Sequence, residues 1–272
     1  MANADGWQLT ESGPEAYERY LVPALFAPWA ERLVEHATLQ ERDRVLDVGC
    51  GTGVVARRAA SRVGETGAVV GLDVNEGMLE VARATAVEIT TPTIEWKRGD
   101  ATDLPFPDGA FDAVLCQQAL QFFEEPSVAL REMHRVLASN GRLAISVLRP
   151  LAFNGGYDAL SDALEHHVGD DAGTMMRSPF PEWTGDELRA LAVDAGFRDP
   201  VVTIEISSVR YPSVEEFVRR EAASSPLAGP LGSLDRDVRE TVIGEVEDAL
   251  DEYTDDHGIV IPLEYYVVVA RR

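Results

Sequence analysis

The chain has 272 residues, is 45% apolar, and carries 24 basic against 47 acidic residues, a formal net charge of -23. This size fits one large domain, or a domain with an insertion, and the charge argues against nucleic acid and anionic membranes as partners. No apolar run approaches the roughly 18 residues of a membrane span, and Met1–Thr10 is too polar for a signal peptide, so a cytoplasmic protein is expected.

Residues 1–12 read as a loose tail. Pro14–Thr38 is apolar at helical spacing (Tyr17, Tyr20, Leu21, Leu25, Trp29, Leu33, Val34). Pro23 and Pro28 must interrupt or kink it. As it precedes the first strand, it is expected across the C-terminal edge of a sheet, with Tyr17 and Tyr20 either in the core or against a ligand. Arg44–Gly49 then reads as a buried strand, Gly49, Gly51 and Gly53 as a sharp turn, and Val54–Val63 as a helix. A strand, a glycine turn and a helix N-terminus bind polar or anionic groups. The turn is G-x-G-x-G, with Val54 where a dinucleotide fingerprint needs its last glycine. A second strand, Ala68–Asp73, ends on an acid placed to hold the two hydroxyls of a ribose. Asn75 is an N-cap for a helix over 76–87, and a third strand over 93–98 leads to Asp100, which reads by itself as a turn former.

Phe111–Cys116 is a continuous apolar run with one acid, the pattern of a parallel strand covered on both faces. Gln117 and Gln118 stand at its C-terminal end, where ligands sit in open parallel sheets. A helix over 127–137, a turn at Asn140-Gly141 and a fifth strand over 142–148 follow. Five strand-turn-helix alternations argue for an α/β doubly wound sheet. Cys50 and Cys116 make neither a disulfide framework nor a Cys-rich metal site. Lys97 is the only lysine. A salt-rich cytoplasm accounts for both the missing lysine and the excess acid; a GC-rich genome accounts only for the former.

Beyond Arg149-Pro150 two short helices are expected, over 157–168 and 172–177. The pair His166-His167 reads as a surface feature, because adjacent helical residues diverge and no third ligand stands at a fixed spacing; no metal is expected. Thr184 caps a helix stopped by Gly196. Strands over 201–210 and 263–270 enclose helices over 213–223 and 235–253, with a movable loop at 224–232.

D-V-G-C-G-T-G at 47–53, with Asp73, F-D-A-V at 111–114, A-L-R-E-M-H-R-V-L at 129–137 and R-L-A-I at 142–145, resembles the class I S-adenosylmethionine (SAM)-dependent methyltransferases, and among them the branch that methylates quinones and other small molecules. The resemblance is close over 44–148 and loose elsewhere. Two departures stand out: no histidine near Gln121, and Ser139-Asn140-Gly141 in place of Pro-Gly-Gly. His134 lies on the helix and reads as structural or surface.

The resemblance implies a Rossmann-like, mostly parallel seven-stranded sheet with an antiparallel last strand and helical lid insertions. It divides the chain into a helical cap (1–43), a SAM-binding core (44–150), a lid (151–183) and a C-terminal part (184–272) with helices inserted at 213–253. Phe217 and Arg220 would then be pocket contacts. The cofactor would be SAM, leaving as S-adenosylhomocysteine. Its implied contacts are Asp47, Gly49, Cys50, Gly51, Gly53, Asp73, Val74, Met78, Asp100 (on the adenine amino group), Ala101, Gln117, Gln118 and Tyr20.

Methyl transfer from a sulfonium is an in-line displacement. It needs alignment and exclusion of water rather than one fixed catalytic residue. Glu124, Tyr20 and the His166-His167 pair are candidate bases. No Asp/Asn-Pro-Pro-Tyr or Pro-Cys motif points to DNA methylation, and two cysteines are too few for arsenite chemistry. A small apolar or aromatic acceptor remains, methylated on O, C or N. Two other readings compete: a nicotinamide dehydrogenase, which Val54 argues against, and a SAM-binding sensor or partner module without turnover.

Overall fold

A computed structural model of the chain describes residues 13–87, 92–224 and 234–272. The expected N-terminal tail, and all but Ser224 of the expected 224–232 loop, lie outside the described residues. The chain forms two compact units.

The first unit comprises Phe26–Leu148, Trp183–Glu205 and Tyr265–Arg272. The strands of the whole chain are β1 (Arg44–Val48), β2 (Ala68–Asp73), β3 (Ile94–Arg98), β4 (Phe111–Gln117), β5 (Leu137–Leu148), β6 (Arg198–Tyr211), β7 (Thr254–Asp255) and β8 (Gly258–Arg271); β1–β5 lie wholly in the first unit. Their order is β3-β2-β1-β4-β5-β8-β6, with β7 a short hairpin partner of β8. β1 is parallel to both β2 and β4, β3 to β2 and β5 to β4, whereas β8 runs antiparallel to β5 from Arg142↔Arg271 to Leu148↔Tyr265. The strand order thus reverses at β1, which opens a crevice at the carboxyl ends of β1 and β4. Four of the five β1 residues are buried, as continuous apolar strands require when both faces are covered. Leu46, Val48, Val114, Cys116, Ile145 and Val268 meet in one core cluster.

Of the N-terminal helical stretch, α1 (Gly13–Ala16) passes into a π-helical segment, Tyr17–Phe26, and then α2 (Ala27–Ala37). Pro23 lies within the wide turns and Pro28 at the start of α2. A proline removes one N–H and crowds the preceding turn; the wider register absorbs both without breaking the helix. α2 packs on α3 (Val54–Val63) and on β4 and β5, so Ala27–Ala37 covers a sheet face rather than the C-terminal edge expected of it. Trp29 packs against Tyr265 with ring centroids 4.8 Å apart and planes tilted by 37°.

α4 (Glu76–Thr85) is capped by Asn75, which accepts from the N–H groups of Gly77 and Met78. The fifth strand differs from expectation. Its pairing jumps from Phe111↔Leu137 to Ala113↔Arg142, so Asn140-Gly141 sits in a bulge inside a longer β5. Asn140, at φ 64°, supplies the left-handed residue. α5 (Pro126–Val136) presents His134 edge-on to Phe197, 5.1 Å between centroids, which gives that histidine its structural place.

The second unit comprises the described residues up to Leu25, Arg149–Glu182 and Ile206–Glu264. Of the expected lid, 151–183, all but Trp183 falls within one continuous piece of this unit, Arg149–Glu182. The expected cap, 1–43, divides at Leu25/Phe26, and the expected C-terminal part divides at 205/206 and 264/265. The helices here are α6 (Gly155–His167), α7 (Asp170–Arg177), α9 (Val214–Ser224) and α10 (Arg236–Ala249); α8 (Gly185–Asp194), with Thr184 and Glu187 in a reciprocal capping box, belongs to the first unit. Buried Asn154 opens α6: its amide donates to the Arg149 carbonyl (3.1 Å) and its Oδ1 accepts from the Glu264 N–H (2.9 Å). Among the described residues no helix is long and apolar enough to cross a membrane.

Candidate cofactor-binding site

The β1–α3 turn runs through left-handed backbone at Gly49, Gly51 and Gly53, with φ of 68°, 53° and 86°. Space makes the same demand. A Cβ at Gly49 would lie 2.5 Å from that of Ala119, and one at Gly53 only 2.2 Å from the Trp96 ring. Both positions therefore require glycine for conformation and for room. The N–H groups of Gly49 and Cys50 both donate to the Leu72 carbonyl (2.8 and 3.0 Å), fixing the turn to the end of β2. Arg57 donates to the Thr52 carbonyl and to Thr85 Oγ1, tying the turn to α4.

Gly53 is the N-cap of α3 and has no side chain to cap it. Asp47, from inside β1, takes over. Its Oδ2 accepts from the Ala56 N–H at 3.0 Å, meeting one of the unsatisfied donors of the helix's first turn. Asp47 is 1% exposed. Burial pushes its carboxyl up to about 7, against the pull of the Ala56 bond and with a further push from Asp73.

Asp73 ends β2. One oxygen accepts from the Gly51 N–H and the other from the Asn75 N–H, both at 2.8 Å. A carboxylate offers about four lone-pair directions. One is used to hold the glycine turn and one the start of α4, and two remain for a pair of hydroxyl donors. Next to it, Val74 is an exposed apolar side chain and Met78 is half-buried on α4. Asp100 is exposed; its Oδ1 accepts from the Thr102 N–H and hydroxyl, each at 2.8 Å. The backbone bond, then the hydroxyl, holds its carboxyl below the usual range. Ala101 beside it is buried.

At the end of β4, Gln117 donates from Nε2 to the Phe26 carbonyl (3.0 Å). Its Oε1, like Asp47 Oδ1 and Thr52 Oγ1, is buried with no partner among the described residues. Gln118 adopts φ 51°, rare for a side chain other than glycine, and its N–H donates to the Ser146 carbonyl. Strained backbone and unmatched buried acceptors around a glycine turn fit a ligand rich in polar groups. Burial pushes the thiols of Cys50 and Cys116 far up, so neither is a nucleophile.

Twelve of the thirteen expected cofactor contacts lie in the first unit, ranged along the ends of β1, β2, β3 and β4. Tyr20 belongs to the second unit, where Arg19, Arg219 and Arg220 approach its ring at 5.5 to 6.0 Å. Sequence reasoning missed Trp96, whose ring lines Gly53 and Gly71. The apolar alternation of Ile94 and Trp96 in β3 was its available signal. Phe217, expected as a pocket contact, is fully buried between Tyr157 and Tyr211; its ring serves the core of the second unit.

A parallel sheet with its order reversal at β1, an antiparallel strand beside β5 and an acid gripping the glycine turn together define the class I SAM-dependent methyltransferase fold. Residues 46–145 match the family described as Methyltransferase domain. The chain is 34% identical over 208 residues to nocamycin O-methyltransferase of Saccharothrix syringae, which covers 71% of this chain and 72% of that one. It is 39% identical over 118 residues to 2-phytyl-1,4-naphtoquinone methyltransferase of Synechococcus elongatus, 43% of this chain and 51% of that one. The chain thus spans about half the length of that relative. The crystal structure of the YcgJ protein of Bacillus subtilis shares the fold, with a TM-score of 0.63 and 20% identity, covering 90% of this chain and 98% of that one. The chain belongs to the SAM-dependent methyltransferase family.

Proposed function

We propose that the chain binds SAM along the ends of β1–β4 and moves its methyl group to a small apolar or aromatic acceptor in the cytoplasm. The Asp73 carboxylate carries this reading. It is held by two backbone N–H groups at the tip of β2 and keeps lone pairs for two ribose hydroxyls. Gly49, Gly51 and Gly53 give a ligand backbone to approach, Asp100 and Val74 suit an adenine edge and face, and the unmatched Gln117 Oε1 suits a donor such as the ligand's ammonium group.

Bound SAM supplies an already activated methyl group. The protein's own task is to align donor and acceptor and to exclude water, a contribution of roughly 7–11 kcal/mol in well-aligned systems. No side chain is assigned as general base. Glu124 is exposed and His167 is engaged with Glu245. Relatives named for a phytylated naphthoquinone and for nocamycin support a small organic acceptor. Two free, buried cysteines suit a reducing compartment.

Calorimetry with SAM and S-adenosylhomocysteine tests the reading. The wild type is expected to bind both, and Asp73→Ala to lose at least about tenfold in affinity, since charge-assisted hydrogen bonds contribute roughly 1.5–3 kcal/mol each. Absence of binding in low and in high salt overturns the donor site. Binding without methyl transfer to any of a panel of quinones and phenols would favour the sensor reading.

A further inference from the structure

The last turn of α6 carries His166 and His167, and α10 carries Glu245. Adjacent helical residues point in different directions, yet these two rings stack at 4.4 Å with 23° between planes. They converge because they use different nitrogens. His166 offers Nδ1, close to its own backbone, at 3.4 Å from Glu245 Oε2; His167 offers Nε2, at the far end of its ring, at 2.5 Å from the same oxygen. The three ligand atoms all lie within 4.8 Å of one another. A third donor thus stands beside the pair without any fixed sequence spacing, 78 residues away from His167.

We propose that His166, His167 and Glu245 form a binding site for a divalent transition-metal ion of the zinc class, which clamps the end of α6 to α10. The donor set decides the class of ion. Two imidazoles and one carboxylate suit zinc, cobalt, nickel or copper, whereas magnesium and calcium prefer all-oxygen sites. Bonds of about 2.0–2.2 Å around a tetrahedral ion place neighbouring ligand atoms roughly 3.3 Å apart. The His166–Glu245 separation already has this value. The His167–Glu245 pair reaches it when the partly exposed Glu245 side chain withdraws by less than about 1 Å, and because each imidazole lone pair lies in its ring plane, the two rings must also rotate out of their 23° stack to face one ion. His166 is 70% exposed at its side chain, so an ion enters from solvent and water completes the coordination. Each histidine ligates as neutral imidazole, with its proton on the other ring nitrogen. The net charge of -23 raises the local concentration of any cation.

The test is a titration of the full chain with zinc chloride by calorimetry, in excess magnesium and high salt to suppress diffuse binding to the acidic surface. One zinc ion per chain is expected. His166→Ala, His167→Ala and Glu245→Gln should each weaken it at least about tenfold, while the control His257→Ala, outside the cluster, should not. Cobalt(II) should give the intense visible bands of a four-coordinate site, and zinc should raise the melting temperature of the wild type by more than that of any of the three variants. The variants' far-ultraviolet circular dichroism without metal separates loss of a ligand from loss of fold. Zinc binding that magnesium displaces, that the three variants retain, or that is absent in the wild type overturns the proposal and leaves a histidine–carboxylate hydrogen-bond pair.

Discussion

Two aspartates around one glycine turn do different work. Asp73 reaches the turn from β2 and keeps lone pairs to offer a ligand. Asp47 reaches α3 from β1 and spends one oxygen on the Ala56 N–H, inside the protein. Asp47 stands with the expected cofactor contacts, and its Oδ1 stays unmatched; the Ala56 bond gives it in addition the work of a positioning residue, holding the helix start against the turn. Asp47→Ala leaves a buried N–H unpaired and frees the first turn of α3. The expected loss is about 1–3 kcal/mol in stability, read from urea unfolding, together with weaker SAM binding. In Asp73→Ala the balance is reversed, with the larger effect on affinity. Equal effects of the two substitutions on affinity would remove this division of roles.

Three elements of the second unit meet at Glu221 of α9. Its carboxylate accepts from the hydroxyls of Tyr157 on α6 (2.8 Å) and Tyr211 on β6 (3.3 Å), within a packing of Phe180 and Phe217 rings. Glu221 is 4% exposed. Burial pushes its carboxyl up to about 7, against the pull of the two tyrosines. The folded chain therefore holds a proton that the unfolded chain releases above about 4.5, so this group's contribution to stability falls as pH rises from about 4.5 to 7. A shift of this size corresponds to about 3 kcal/mol. Midpoints of urea unfolding between pH 5 and 8 are expected to decline more steeply for the wild type than for Glu221→Gln; parallel declines would mean that the carboxyl titrates normally. Such a three-element contact is invisible in sequence, as is the meeting of His166, His167 and Glu245, because the partners stand tens of residues apart. What sequence reveals is local. The glycine turn, Asn75, Thr184 and the apolar runs of β1 and β4 each carry their own backbone or burial requirement, so the strands and helices fell within a few residues of expectation. The π-helical turns around Pro23 and the bulge at Asn140 were less legible, because they are compromises between a local preference and a neighbouring element.

Charge acts at the scale of the whole chain. With 47 acidic residues and 24 basic ones, pairing every base still leaves 23 carboxylates in excess. Surface ion pairs such as Arg62–Glu31, Arg83–Glu76 and Arg210–Asp255 contribute little individually, with a typical value of about 0–1 kcal/mol. Salt screens these attractions and the wider repulsion alike, and the Debye length falls from about 10 Å at 0.1 M to about 3 Å at 1 M. Because uncompensated acid is in the majority, the repulsion lost on screening should exceed the attraction lost. The melting temperature is therefore expected to rise between 0.1 M and 1 M sodium chloride by at least roughly 2–4 °C, equivalent to about 1 kcal/mol for a chain of this size. An uncharged osmolyte at matched osmolality should not reproduce the rise if screening is its cause. A melting temperature that is flat or falls with salt would show that the ion pairs outweigh the excess. The scarcity of lysine would then reflect codon usage rather than adaptation to a salt-rich cytoplasm, since only self-repulsion relieved by salt distinguishes the two.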